Sequence, residues 1–421
     1  MPKSKNDILL VVAVTLLLIT GIIMVFSASA LMAHERYGSL LYYSRKQILW
    51  GFICILAIFI FSRINLKILT TKGIPLALVL LHITFLIGLF FWGDMVNGAR
   101  RWYNLGIGSF QPSELVKIAL IIYFADIFSR KGDLLHDWKK GLLPHLTLLL
   151  LVLVPILLEP DLGTVVMITL IISTMVLLSN VRMKHILAGI FLALPILLIK
   201  VRSSSFQLDR VTSWLANISN PLGSGYQIKQ SLIGLGSGGL IGSGIGTSKQ
   251  KFYFLPESHT DFVFAIVGEE IGFIGTTVVL LLFLLILWRG ISIAKRANNA
   301  FLQYCAVGLT MSLVLYALIN AAVVTMLIPT TGVPMPFLSY GGSSLLSVGI
   351  AVGTSAVAVE NPGGATEKLQ DILKKMPKPG AAKAEEKPKP KEAPKKEEAP
   401  KKEEAAEKPK KKEKKQETES K

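Results

Sequence analysis

The sequence predicts an all-α, polytopic membrane protein of about ten transmembrane helices. It also predicts a long extracytoplasmic loop between helices 7 and 8 and a disordered cytoplasmic tail. Three observations lead there. Apolar runs of about twenty residues recur along most of the chain, which soluble domains do not show. Apolar residues make up 51% of the 421 residues, with a mean hydropathy of +0.53. Basic residues collect in alternate connecting segments, as cytoplasmic loops of membrane proteins do.

The expected spans are 8–32, 46–62, 74–92, 113–129, 142–158, 162–179, 185–201, 263–288, 303–328 and 343–359. The first run, Ile8 to Phe26, is too long for a signal-peptide core and lacks a clear cleavage site, so it reads as a retained span. Lys3 and Lys5 precede it. Arg63, Lys67 and Lys72 follow the second span; Arg130, Lys131, Lys139 and Lys140 follow the fourth. Arg182 and Lys184 follow the sixth, and Arg289, Lys295 and Arg296 the eighth. These segments are expected in the cytoplasm, with both termini. Arg36, Arg45, Lys46, Arg100 and Arg101 are exceptions on the opposite side.

The net charge is +17. Membrane topology accounts for it better than nucleic-acid binding does. Residues 361–421 hold 19 Lys and 13 acidic residues, interleaved with Pro and Ala and without an apolar core, so this tail is expected to be disordered. The domain division is therefore 1–362 and 363–421. Cys54 and Cys305 both lie in apolar runs and read as packing residues.

The topology places the loop 202–262 outside. It contains Asp209, Arg210, Trp214, a segment Asn220 to Gln227 and a glycine-rich run from Gly234 to Gly246. The glycines suit either a flexible loop or close approach of backbone to a ligand. No Gly-Lys-Ser/Thr closes the run, which speaks against a nucleotide P-loop.

The loop ends in Pro256-Glu257-Ser258-His259-Thr260-Asp261-Phe262, which gathers ionisable and hydroxyl groups at a membrane boundary. Such groups are expensive there and point to function. The plainer reading is a helix cap by Ser258 or Thr260. In Gln111-Pro112-Ser113-Glu114-Leu115-Val116-Lys117, Glu114 and Lys117 share one helix face. They read either as a structural ion pair or as the charged wall of a cavity. Glu159-Pro160-Asp161-Leu162-Gly163-Thr164 is a tight turn that puts carboxylates on the same face as Asp261. Asn97-Gly98-Ala99-Arg100-Arg101-Trp102-Tyr103 adds two arginines suited to phosphate and two aromatics suited to the interface. Between the last two spans, Ile328 to Ser344 holds three prolines and three glycines, which forbids a regular helix. It reads as a re-entrant lid carrying Tyr340 and Ser343.

These motifs, with Pro-Met-Pro-Phe-Leu-Ser-Tyr-Gly-Gly-Ser-Ser at 334–344, resemble the SEDS family of bacterial cell-wall proteins over residues 8–362. The Pro-Glu-Ser-His segment resembles the division branch (FtsW and its sporulation relative SpoVE) more than the elongation branch (RodA). The resemblance implies a peptidoglycan glycosyltransferase acting on lipid II at the outer face of the cytoplasmic membrane, at the division septum. It implies a class B penicillin-binding protein and other divisome proteins as partners, besides membrane lipids, and no nucleic acid. Asp261 matches the catalytic carboxylate and is expected to be the general base. Arg101 and Lys117 would stabilise the departing pyrophosphate, with Glu114 orienting Lys117. Asp161 would touch sugar or cation, and Glu257, His259, Thr260, Tyr340 and Ser343 are further expected substrate contacts. A divalent cation, Mg2+ or Mn2+, is compatible with this chemistry, although no Asp-X-Asp motif is evident. A lipid II flippase and a non-catalytic divisome scaffold are the alternatives from other classes.

The tail can add nothing to a packed core. Truncation after residue 364 is therefore expected to leave polymerising activity intact, measured on purified protein with labelled lipid II. Loss of that activity would contradict the domain division.

Overall fold

Helices stand at all ten positions that the apolar runs predict. They are α1 (Lys5–Tyr37), α2 (Tyr42–Phe61), α3 (Ile74–Trp92), α4 (Pro112–Lys131), α5 (Leu143–Leu158), α6 (Leu162–Leu177) and α7 (Met183–Ser203). After the long loop come α10 (Val263–Arg296), α11 (Ala300–Val324) and α12 (Gly342–Glu360). The computed structural model describes residues 5–66, 68–96, 98–106, 108–179, 181–219 and 225–360. Asn97, the stretch Asn220 to Ser224 and the expected tail at 363–421 lie outside these residues.

Among the described residues, six helices are long and apolar enough to cross a membrane: Ile8–Tyr37, Tyr42–Phe61, Ile74–Trp92, Trp138–Leu158, Val263–Arg296 and Ala300–Val324. Leu162–Leu177 and Gly342–Val357 are shorter and equally apolar in kind. Around an apolar core, these helices also turn large apolar side chains outward. α2 turns Phe52, Ile55 and Phe59 outward and buries Gln47, Gly51 and Cys54. Lipid is the solvent for such a face. α4 is the exception in composition, with Glu114, Lys117, Asp126 and Arg130 among its residues. It can carry them because it packs among α3, α6, α11 and α12.

Two features depart from the sequence expectation. The loop 202–262 contains two helices, α8 (Ser205–Ser219) and α9 (Tyr226–Gly238). Neither is long enough to read as a span, which is why apolar-run length misses them. The all-α class also carries a small antiparallel sheet, β1 (Asp94–Val96), β2 (Ala99–Asn104) and β3 (Ser109–Phe110), in the order β1-β2-β3. Its strands are too short for an alternating pattern to register.

The segment between α11 and α12 is non-helical, as its prolines and glycines require. It is a buried strap: Val333, Met335, Phe337 and Leu338 are all in the core. Gly21 of α1 admits it, since a Cβ there would stand 2.1 Å from the Phe337 carbonyl oxygen.

The glycine-rich run makes a close backbone approach to α10. α10 is broken at Gly272, whose φ of 77° and ψ of −168° suit glycine. The break frees backbone groups that a membrane protein must satisfy internally. Ser243 N and Gly244 N donate to the carbonyls of Glu269 and Glu270, each at 3.0 Å. Phe273 N and Ile274 N donate to Gly239 O and Leu240 O at 2.9 and 3.1 Å. The side chains of Glu269 and Glu270 complete the join. Glu269 accepts from Lys249 N at 2.8 Å, Gln250 N at 3.3 Å and the Ser248 hydroxyl. Glu270 accepts from the Ser27 hydroxyl of α1 at 2.6 Å and from Ser248 N at 3.2 Å.

A Cβ at Gly238 would lie 1.9 Å from the Gly268 carbonyl oxygen, whereas one at Gly236 meets nothing within 4 Å. Gly238→Ala should therefore destabilise by about 1–3 kcal/mol or more through overpacking. Gly236→Ala, two residues away on the same helix, should stabilise by about 0.5–1 kcal/mol. Thermal unfolding in detergent of the two variants checks the contrast. Equal behaviour would mean that the helix break is not interlocked this way.

Candidate active site

Asp261 is the last residue but one before α10. The helix begins at Val263 and its N-cap is Phe262, with no side-chain cap bond. The capping reading of Ser258 and Thr260 is thus wrong. Ser258 donates instead to the Ala28 carbonyl at 3.3 Å, and Thr260 donates to Glu257 Oε2 at 2.9 Å. Glu257 holds a positive φ of 54°. Its carbonyl accepts from Thr260 N and Phe262 N at 3.2 and 3.3 Å, which closes a turn around Asp261.

The backbone of Asp261 is fixed and its carboxylate is left open. Asn320 Nδ2 of α11 donates to Asp261 O at 2.7 Å and to Val333 O of the strap at 2.8 Å. The carboxylate accepts no hydrogen bond from any described residue. Gly332 lies beside it: a Cβ there would be 3.6 Å from Asp261 Oδ2, so the strap leaves the carboxylate unobstructed on that side. Burial, aided by the charges of Glu257 and Asp161 and opposed by Arg210 and Arg101, pushes Asp261 up to about 6.

Asp161 caps α6, accepting from Thr164 N at 3.2 Å and Thr164 Oγ1 at 2.8 Å. Gln111 Nε2 donates at 3.4 Å to Oδ2, the oxygen that also accepts from Thr164 Oγ1. Arg101 does not stand open to a phosphate as the sequence suggests. Its Nε donates to Glu159 O at 3.0 Å and its Nη2 to Pro160 O at 2.6 Å, so it clamps the turn that carries Asp161. Ser343 is likewise committed to the scaffold. Its hydroxyl donates to Ser109 O and accepts from Gln111 N, each at 2.9 Å, tying α12 to the start of α4.

Glu114 and Lys117 pair at 2.6 Å, both buried. Ser347 of α12 donates to the same Glu114 oxygen at 2.9 Å, and the ammonium sits 4.1 Å from the centre of the Tyr316 ring. Lys117, Tyr316, Pro336, Ser344 and Ser347 line one narrow cleft. His259 and Tyr340 form a different group. Tyr340 N donates to His259 O at 2.9 Å. The two rings, 5.8 Å apart, pack with Tyr43 of α2, 4.9 Å from His259 and 5.1 Å from Tyr340. Burial holds His259 below the usual histidine range and pushes Tyr340 up to about 12, so both are neutral near pH 7.

Three groups to which the sequence reading gives no individual role stand out. Glu159, next to Asp161, is buried with Oε1 unpartnered. Burial and the charge of Asp161, against Arg101, push it up to about 8, so at neutral pH it is largely a neutral acid. Glu269 and Glu270 are the second. Two adjacent carboxylates inside an apolar run were a legible signal. The third is Arg210, half-buried on α8, in electrostatic range of Asp261, Asp161 and Arg101. For a divalent cation, among the described residues no group of three or more Asp, Glu, His or Cys side chains is gathered that could hold one. The protein side chains do not fit a self-contained metal centre.

The sequence profile of the FtsW, RodA and SpoVE family, described as a cell cycle protein, matches residues 7–360. Stage V sporulation protein E of Bacillus subtilis is 39% identical over 351 residues, spanning 83% of this chain and 96% of that protein. The probable peptidoglycan glycosyltransferase FtsW of Geobacter sulfurreducens is 36% identical over 350 residues, 83% of this chain and 94% of that one. Among solved structures, a peptidoglycan synthase complex described as coordinating polymerization and crosslinking contains a chain of the same fold. Its TM-score is 0.67 at 24% identity, over 84% of this chain and 97% of that chain. The rod shape determining protein RodA of Thermus thermophilus superposes with a TM-score of 0.62 at 25% identity, over 84% and 96% of the two chains. The chain belongs to the FtsW, RodA and SpoVE family, the SEDS proteins.

Proposed function

We propose that this protein is a peptidoglycan glycosyltransferase that polymerises lipid II at the outer face of the cytoplasmic membrane, with Asp261 as general base. The observation that carries the reading is the state of the Asp261 carboxylate. It is rigidly mounted, unbonded, and raised to about 6. A base in that range is ionised at neutral pH and still a competent proton acceptor. The acceptor's 4-hydroxyl loses its proton to Asp261 as its oxygen bonds to the anomeric carbon of the growing chain. The bond from that carbon to undecaprenyl pyrophosphate breaks, and the electron pair leaves with the pyrophosphate. A base must come within about 2.6–3.2 Å of the hydroxyl.

The relatives' names and the synthase-complex fold support the same reading, with a class B penicillin-binding protein as partner and a role in septal wall synthesis. Cytoplasmic termini follow from the distribution of Lys and Arg. A flippase would need charged groups lining a path. Glu114, Lys117 and Glu269 are instead engaged by Ser347, by each other and by residues 248–250.

Asp261→Asn should fold, insert and bind the penicillin-binding partner, yet make no glycan from lipid II supplied outside. Near wild-type polymerisation by the purified variant would end the assignment. In the wild type, kcat/KM should fall as pH drops through about 6, because the ionised base is lost. The stability effect has the opposite sign. A carboxyl raised in the folded state contributes stability at low pH that is lost as pH rises through about 6. Asp261→Asn should therefore unfold at a higher temperature than wild type at pH 8, and the gap should close by pH 4.

Removing one partner of the Glu114–Lys117 pair strands a buried charge, so Lys117→Ala should cost about 3–5 kcal/mol. Glu114→Gln with Lys117→Met should recover expression and thermal stability without recovering polymerisation. Full activity in the double variant would reduce the pair to scaffold.

A further inference from the structure

The proposed reaction needs positive charge at the departing pyrophosphate. The two cations that the sequence offers for it are engaged elsewhere. Arg101 spends Nε and Nη2 on the carbonyls of Glu159 and Pro160. Lys117 spends its ammonium on Glu114 and on the face of Tyr316. Arg210 differs. Its guanidinium lies 4.3 Å from the centre of the Phe206 ring and donates no hydrogen bond to any described residue.

Its placement follows from how α8 sits. Gln207, Arg210, Trp214 and Asn217 recur at steps of three and four, which puts them on one face. That face points inward: Gln207 and Asn217 are buried, and Arg210 and Trp214 are half-buried. Trp214 Nε1 donates to Met326 O, beyond the end of α11, at 3.0 Å and pins the helix down. The exposed side carries Leu208, Leu215 and Ile218. The helix therefore turns Arg210, half-buried and stacked on Phe206, toward the interior, while Leu208, Leu215 and Ile218 face out. Asp261, Asp161 and Arg101 are the charged groups around Arg210.

We infer that Arg210 is a further catalytic residue, which binds the pyrophosphate of the lipid-linked donor through its open guanidinium donors and takes up the charge that develops as that group leaves. This rests on the glycosyltransferase reading above. A planar guanidinium offers five donors, and two of them match adjacent phosphate oxygens. The proton goes to Asp261 and the electron pair to the pyrophosphate. Arg210 forms no covalent bond and stays charged throughout. Its neighbour Phe206 restrains the guanidinium by stacking, which limits the freedom lost on binding.

Two measurements on the full chain test this. The first is the thermal unfolding shift produced by inorganic pyrophosphate on protein in lipid nanodiscs. Wild type and Asp261→Asn should both be stabilised, Arg210→Lys less so, and Arg210→Ala not at all. Equal shifts in wild type and Arg210→Ala would overturn the inference, as would no shift in wild type. The second is the pH profile of lipid II polymerisation with the penicillin-binding partner. Arg210→Ala should lose about 10²–10³-fold in kcat at every pH, the usual effect of removing a transition-state donor. Recovery of wild-type rate at pH 9 would mean that Arg210 only keeps Asp261 ionised, and would also overturn it. Arg210→Lys should regain part of the rate, which a folding defect in the alanine variant would not mimic. If wild type makes no polymer, the glycosyltransferase reading fails, while the pyrophosphate shift still decides on Arg210.

Discussion

The interlock between broken α10 and the glycine-rich run fixes where the chemistry can be. Within a membrane each freed backbone group costs several kcal/mol if left unpaired. A break at Gly272 is tolerated because residues 239–244 supply both the donors and the acceptors it needs. The chain that leaves this join passes Ser248, held by Glu269 and Glu270, and reaches Asp261 about a dozen residues later. Gly238 and Gly242 allow it, since a Cβ at either would collide with a carbonyl oxygen of α10. The glycines are therefore structural in their closest contacts, and they hold the segment that carries Asp261.

The same solvent explains the second layer. Polar side chains that a soluble protein would put outside are here inside. Glu114 and Lys117 neutralise one another; Ser347 adds a hydrogen bond to the same Glu114 oxygen and Tyr316 a ring face to the ammonium. Such a pair is a weak source of stability in itself, because desolvation offsets much of the attraction. Its value is specificity: α4, α11 and α12 can meet in one register that satisfies both charges. Ser343 repeats the device with neutral groups, joining α12 to β3 and α4.

Much of the fold was legible because membrane spans are set by length and apolarity, which need no partner to be recognised. All ten positions were found that way. The helices α8 and α9 were not, since 15 and 13 residues of mixed character carry no span signal. Asp261 was legible as part of a dense polar motif at a helix start. The roles of Arg101 and Ser343 were not, because their partners lie 58 and 232 residues away along the chain. A side chain suited to phosphate by type can be consumed by a carbonyl, and the sequence cannot say which. Arg210 shows the converse. It sat in a loop with no motif, and only the orientation of α8 reveals that it faces the carboxylates.

The electrostatics of Asp261 are a balance and not a single effect. Burial alone raises a carboxylate, and the neighbouring charges of Glu257 and Asp161 raise it further. Arg210 and Arg101 pull the other way. Were the cations absent, the carboxylate would be protonated more of the time at neutral pH. Were the burial absent, it would fall toward the ordinary value of 3.8 and accept a proton poorly. Glu159 shows the first limit a few residues from Asp161: burial wins over Arg101, whose donors go to backbone carbonyls, and the group is raised to about 8. Two carboxyls in one neighbourhood thus have different resting states, one mostly ionised and one mostly neutral near pH 7. The difference comes from the charges around each: Arg210 and Arg101 both oppose the rise at Asp261, whereas Arg101 alone opposes it at Glu159.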